Sequence, residues 1–307
     1  MTSATGSTVA GPTAAQAQSA AMRTAPRRGR ATAASGWRRW VPYLGIAVIV
    51  VYCLAPFYWM IVSSLRRPHD QFADTWLPNP VSLENYRAAL APGNNFLRAV
   101  GNSVIVAGTT TALGLVIAIF TAYALARLDF RGKNVALAVI IATSMFPGIS
   151  MIVPLFKLFT QIGWINTYQS MIVPSMSFAL PLAVWNLTAF FRQMPYELEE
   201  AALIDGCTPG QAFRKVILPL AAPGVFTTAI ITFIAAWNEY LIAVSMVNDP
   251  HFFTAPVAAS QFSGATNFDA PFGTQMAAGV IVTIPLVFLV LFFQRRIVAG
   301  LTAGGVK

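Results

Sequence analysis

Charge is what this sequence has least of. Only 10% of its 307 residues are Asp, Glu, Lys or Arg, where a soluble domain carries roughly 25%. A chain so poor in charge cannot cover a water-soluble surface, and length alone does not count its domains. Cysteine occurs twice, Cys53 in an apolar stretch and Cys207 in a polar one. The two are not expected to meet, and no metal-ligand spacing exists. His69 and His251 stand alone in loop-like sequence, so no histidine metal site is expected. The pattern G-x-x-x-x-G-K-[ST] is missing. Gly132-Lys133-Asn134 lacks both its spacing and its hydroxyl residue, which excludes a P-loop in this chain. Acidic residues number eleven against twenty basic ones, a net charge of +9. The surplus does not point to nucleic acid, because the basic residues flank apolar runs instead of gathering on one polar domain.

What the chain does have is apolar length. Hydrophobic residues make up 56% of it, and its mean hydropathy is +0.62. Six apolar stretches, at about 41–64, 101–126, 135–158, 170–191, 221–247 and 275–294, each approach the roughly 20 residues that cross a bilayer as a helix. Residues 1–36 are rich in Ala, Thr, Ser, Gly and Arg. No apolar run follows these arginines in the manner of a cleavable signal, and the segment reads as a disordered tail. Residues 37–307 form the expected membrane domain. Trp37 and Trp40 stand where an aromatic belt would anchor the first span.

Basic residues orient the spans. With the N-terminus inside, fifteen of the twenty Lys and Arg fall on the inner side; Arg66, Arg67, Arg87, Arg98 and Lys157 fall outside. Both termini are therefore expected in the cytoplasm. In the long outer segment of about 65–100, Asn79-Pro80 marks a turn. Ser82 can cap a short amphipathic helix with Leu83, Tyr86 and Leu90 on one face. Pro147-Gly148, Pro154, Pro174, Pro181, Pro223 and Pro285 interrupt the spans, as proteins allow where neighbours satisfy the freed carbonyls.

The longest polar run after the tail is Pro195–Leu220. It holds four of the eleven acidic residues: Glu197, Glu199, Glu200 and Asp205. So charged a segment cannot lie in hydrocarbon. Pro195 can open a helix whose first turn gathers the glutamates at the positive dipole end. Gly206 supplies a left-handed stop. Thr208, Pro209 and Gln211 then spell a capping box for a second helix, while small Ala201 and Ala202 allow close approach.

Glu200-Ala201-Ala202, then Gly206, then Leu218-Pro219 resemble the EAA loop of ABC importer permeases, with Val216 at a position the family gives to Ile. The likeness extends over about residues 40–307. Met145-Phe146-Pro147, Val153-Pro154-Leu155-Phe156, Gly163-Trp164, Thr167, Trp237-Asn238-Glu239-Tyr240 and the tail from Gln294 to Lys307 are similar to maltose-type sugar permeases. The wording of spans three to six looks most like permeases of trehalose and related disaccharide importers. The resemblance implies an all-α, six-helix type I permease of a bacterial inner membrane. It implies a coupling helix at about 195–215, with Glu200, Ala201, Ala202, Asp205, Gly206, Leu218 and Pro219 toward an ATPase. The implied partners are a second permease chain, two ATPase subunits and an extracytoplasmic sugar-binding protein. No cofactor is expected in this chain; ATP and Mg belong to the ATPase partner.

Glu239 is the one acidic residue within an expected span. A carboxylate at such depth costs at least about 2.5–3.5 kcal/mol on insertion scales. Trp237, Asn238 and Glu239 are thus candidates to line the substrate pathway. The alternative is a structural carboxylate bonded to backbone or to a partner, with Trp237 serving packing. Two other function classes fit less well. A membrane enzyme needs a nucleophile with its base, or a metal cluster. A proton-coupled transporter normally shows several intramembrane ionisable groups.

Overall fold

The computed structural model describes residues 36–262 and 271–303, with side chains over 40–262 and 271–294. Residues 1–35 of the expected tail 1–36, Phe268 and the last residues, Gly304–Lys307, lie outside the described residues. The chain divides into two units, Met1–Ala55 and Pro56–Lys307. In the first, the opening turns of helix α1 (Gly36–Ser64) expose every residue from Trp40 to Ala55. Trp40 and Tyr43 sit ring to ring at 6.2 Å. Exposed apolar side chains of this density are stable in hydrocarbon and costly in water.

Every regular element among the described residues of the second unit is a helix. A short helix α2 (Glu84–Ala89) precedes α3 (Phe96–Arg127). Next come α4 (Lys133–Thr143) and α5 (Gly148–Gln161), then α6 (Tyr168–Gln193). The polar segment forms α7 (Glu197–Ile204), α8 (Pro209–Ala212) and a π-helical turn, Phe213–Ile217. It leads into α9 (Leu218–Trp237), followed by α10 (Leu241–Met246), α11 (Ala255–Ser260) and α12 (Phe272–Ala303). Among the described residues, five helices are long and apolar enough to cross a bilayer, and six spans result if α4 and α5 count as one.

That third span is broken. α4 and α5 meet at 86°. Pro147 has no N–H to give and forces Phe146 out of helical geometry. The chain closes α4 with short turns instead, Met145 N–H to Ala142 and Phe146 N–H to Thr143 at 3.1 and 3.3 Å. Pro154, Pro174, Pro181, Pro223 and Pro285 lie inside continuous helices.

α3 and α6 make the most extensive helix pair, and α9 packs on both. Thr110, Gly114, Ala118, Ala122 and Ala126 recur every four residues along one buried line of α3. Small residues at that spacing let helix backbones approach closely, which is how spans associate where lipid offers no hydrophobic drive. Against them lie Ala183, Val184, Leu187 and Phe191 of α6. α9 meets α6 just as closely: a Cβ on Gly224 would stand 2.6 Å from the Phe190 ring.

The face of α2 differs from expectation. Leu83 and Leu90 are exposed, and Asn85 and Ala89 are buried. Polar ties win here over apolar periodicity. The Asn85 amide donates to the carbonyls of Ser64 and Arg66 at 3.0 and 2.7 Å, closing carbonyls at the end of α1. Asn102 makes a second polar junction. Its amide donates to His251 and Phe253 carbonyls, both at 2.9 Å, and its carbonyl accepts from the Tyr168 hydroxyl at 2.8 Å.

Candidate functional site

Two places in the fold carry the residues singled out in the sequence: the polar segment from Pro195 to Leu220, and the end of α9. The polar segment is built from local rules. Pro195 lies two residues ahead of α7 rather than opening it, and Tyr196 takes the N-cap position. Glu197, Glu199 and Glu200 occupy the first turn. Gly206 ends the helix at φ +86°. The Gly206 N–H donates to the Leu203 carbonyl and the Cys207 N–H to the Ala202 carbonyl, both at 3.0 Å. This pair of bonds is a Schellman closure. The capping box at Thr208 is complete: Thr208 N–H donates to Gln211 Oε1 at 2.9 Å, and Gln211 N–H donates to Thr208 Oγ1 at 3.4 Å. With the turn between α7 and α8 closed internally on both sides, the two helices hold their relative placement.

Its two faces differ. Ala202, Ala212, Phe213 and Ile217 are buried toward the bundle. Glu197, Glu200, Ala201, Asp205, Gly206 and Pro219 are exposed, and Leu218 is half-buried. Ile204 is 85% exposed, a large apolar side chain at the tip of a polar helix.

The segment is latched to the end of α3. The Tyr123 hydroxyl donates to Glu199 Oε1 at 2.6 Å. The Tyr196 hydroxyl donates to the Ala126 carbonyl at 3.0 Å. Arg127, 8% exposed, donates to the Met194 carbonyl at 2.9 Å and lies 4.4 Å over the Tyr196 ring. A guanidinium so buried is held by a carbonyl and an aromatic face. Beyond α3, Lys133 donates to Asp129 at 2.8 Å, and this bond holds the exposed Asp129 carboxyl below its usual range.

The expected fifth span also breaks. α9 ends at Trp237, and Glu239 lies in the gap before α10. Glu239 Oε1 accepts the Ile242 N–H at 2.8 Å, so the carboxylate serves one of the orphan donors at the start of α10. Trp237 is buried, 1% exposed. Its ring stacks on Phe233 at 5.7 Å among Ala107, Val282 and Leu286. The phase of α9 turns it toward α3 and α12. Asn238 is exposed, its amide donating back to the Ile234 carbonyl at 2.8 Å. Glu239 borders a cavity of about 120 Å³ with Ser175, Leu182 and Thr232 in its wall. Among the described residues no cluster of three or more His, Cys, Asp or Glu could hold a metal ion.

A capped, exposed polar segment between long apolar helices matches a known pattern over more than half of the chain. Residues 114–302 fit the family model described as binding-protein-dependent transport system inner membrane component. The chain belongs to that family. The permease is 45% identical over 260 residues to the trehalose transport system permease protein SugB of Mycobacterium tuberculosis, covering 85% of this chain and 94% of the relative. It is 40% identical to the trehalose/maltose transport system permease protein MalG of Thermococcus litoralis, over 86% of this chain and 95% of that one. Among solved structures, a bacterial ABC transporter involved in the import of the acidic polysaccharide alginate superposes with a TM-score of 0.70. At 20% identity it covers 83% of this chain and 94% of its own, and this likeness speaks for the fold.

Tyr123, Arg127 and Tyr196 are the residues that sequence reasoning passed over. Their one sequence signal is a tyrosine and an arginine four residues apart at the end of α3, the spacing that places two side chains on one helix face.

Proposed function

We propose that the permease is one of two membrane subunits of an ATP-driven importer for a di- or oligosaccharide of the trehalose class. It takes the sugar from an extracytoplasmic binding protein and passes it by alternating access between the two sides of the membrane. Both termini and the segment around Gly206 face the cytoplasm. There two ATPase subunits bind and hydrolyse ATP with Mg; this chain contributes no cofactor. The sugar class rests on the relatives, among them permeases of trehalose, trehalose/maltose and sulfoquinovosyl glycerol transport systems.

The observation that carries the coupling reading is the polarity of the 195–220 segment. Its central turn is closed by internal hydrogen bonds, its inner side is latched to α3, and its outer side presents Glu200, Asp205 and the exposed Ile204. Such an element moves as a piece. A partner seated on its outer side displaces α3 through Tyr123 and Arg127, and α3 is packed along α6 and α9. Closure of the ATPase pair then becomes a shift of the spans.

The test is reconstitution with the partner subunits. Gly206→Pro removes an N–H that the helix closure uses, and Glu200→Lys reverses an exposed charge. Both variants should insert normally. Sugar uptake should fall, and ATP hydrolysis should lose its response to the loaded binding protein. Wild-type uptake and stimulation in both would remove the segment from the coupling path. Uptake that follows a proton gradient without ATP would favour a secondary transporter instead.

A further inference from the structure

Beside the break at Glu239 lies a second, much smaller cavity of about 10 Å³, room for one water molecule. Its wall includes Ser103, Ser175, Trp237, Glu239 and Thr254. Three of these side chains bring buried polar atoms with no hydrogen-bond partner in the chain: Ser175 Oγ, Trp237 Nε1 and Thr254 Oγ1. Their residues are 6%, 1% and 5% exposed. They come from three different elements, α6, the end of α9 and the residue before α11. A buried polar atom left unpaired costs about 1–3 kcal/mol, and native interiors leave few of them. Three around one cavity form a site.

We infer that the permease binds a single ordered water in this cavity, held between Trp237 Nε1, Ser175 Oγ, Thr254 Oγ1 and the Glu239 carboxylate. The donor set selects the ligand. An indole N–H can only donate, so the occupant must offer a lone pair, and a metal cation offers none. The two hydroxyls accept and donate, and the carboxylate accepts, so the occupant must also carry hydrogens to give. Water meets both demands, with its oxygen accepting from Trp237 and one hydroxyl and its hydrogens going to Glu239 and the other hydroxyl. The volume excludes anything the size of a sugar ring. Ser103 closes the site from α3, its Oγ already accepting the Ala255 N–H at 2.8 Å.

The water joins α6, the α9–α10 gap and the residue before α11. It also sits behind the larger cavity, because Ser175, Ala236 and Glu239 belong to both walls. The site follows from the chain's own polar atoms and does not depend on which substrate the permease carries.

Two measurements test it on the full-length chain, purified with its co-expressed subunits in lipid nanodiscs. Thr254→Val is nearly isosteric and separates a wet cavity from a dry one by sign. With water present, Val removes one of its partners, and the thermal midpoint should fall by about 1–2 °C, the shift that follows a loss of roughly 1 kcal/mol in a chain of this size. In a dry cavity Val relieves an unpaired hydroxyl and the midpoint should rise. Ser175→Ala should lower the midpoint too, and the double variant should lose less than the two losses together, since both act on one molecule. A rise, or additive losses, would overturn the inference. Should the variants fail to fold, a wild-type cryo-EM map that resolves other buried waters decides the matter. A peak within hydrogen-bond distance of Trp237 Nε1 is expected, and its absence overturns the site.

Discussion

The Tyr123 hydroxyl and the Glu199 carboxylate meet at 2.6 Å, joining α3 to the first turn of α7 across 76 residues of chain. Both side chains are half-buried. A hydrogen bond to a charged group contributes about 1.5–3 kcal/mol, and part exposure places this one toward the lower end. Tyr123→Phe removes the donor and keeps the ring against Phe191 and Phe213. Uptake should drop several-fold in Tyr123→Phe and in Glu199→Gln, while the permease still assembles. The double variant should be no worse than the poorer single one, because the two residues act as a pair. Independent, additive losses would mean that the bond transmits nothing.

Glu239 can be separated into its structural and functional parts. Glu239→Gln keeps an oxygen to accept the Ile242 N–H, whereas Glu239→Ala leaves that donor without it. The Ala variant should lose about 1 kcal/mol, the usual cost of a missing helix-start acceptor, and should denature at lower temperature than Gln. If the carboxylate also lines the sugar's path, Gln should still lower uptake or alter sugar preference in a normally folded complex. Wild-type transport in the Gln variant would assign Glu239 to the cap alone.

Gly224 is a point of close approach between α9 and α6. A methyl group there would overlap the Phe190 ring at 2.6–2.9 Å, so Gly224→Ala forces the ring or the helices apart. Overpacking of this kind typically costs about 1–3 kcal/mol. Reduced thermal stability and poor recovery of the complex are expected. A second change, Phe190→Leu, should restore much of the loss by giving up the ring. Unchanged stability in Gly224→Ala would show that α9 and α6 are not so closely packed in the membrane.

Orientation is open to chemical labelling. In a background with Cys53 and Cys207 replaced by Ser, Gly210→Cys should react only with a reagent supplied from the cytoplasmic side. Phe268→Cys should react only from the other side. Labelling of both from one face would contradict the six-span arrangement.

How far the sequence could be read depended on the range of each interaction. The caps at Gly206 and Thr208 were legible because each is made within five residues: a left-handed glycine, a hydroxyl, a proline and a glutamine at fixed offsets. The apolar spans were legible because bilayer thickness sets their length. The gap after Trp237 was not, since Asn238 and Glu239 are neither Gly nor Pro and the break is stabilised by Glu239 itself. Nor was the setting of Trp237, which depends on how α9 is rotated against α3 and α12. The small residues from Thr110 to Ala126 stood in plain view at four-residue spacing, but their meaning required the facing helix. The α3 latch pairs residues up to 76 positions apart, beyond the reach of any local pattern.

The π-helical turn at Phe213–Ile217 has a consequence for how this region tolerates insertions and deletions. A π turn is an α-helix carrying one surplus residue, looped out so that the flanking turns keep their alignment. In α9 between Leu218 and Gly224, losing one residue would rotate everything beyond it by about 100°, carrying Gly224 away from Phe190. Within 213–217 the same loss can be absorbed by reverting to ordinary helix, with α8 and α9 left facing as they do now. The surplus residue lies between the solvent-facing segment and the spans, so the length of that junction can drift by one residue while the register on either side is preserved.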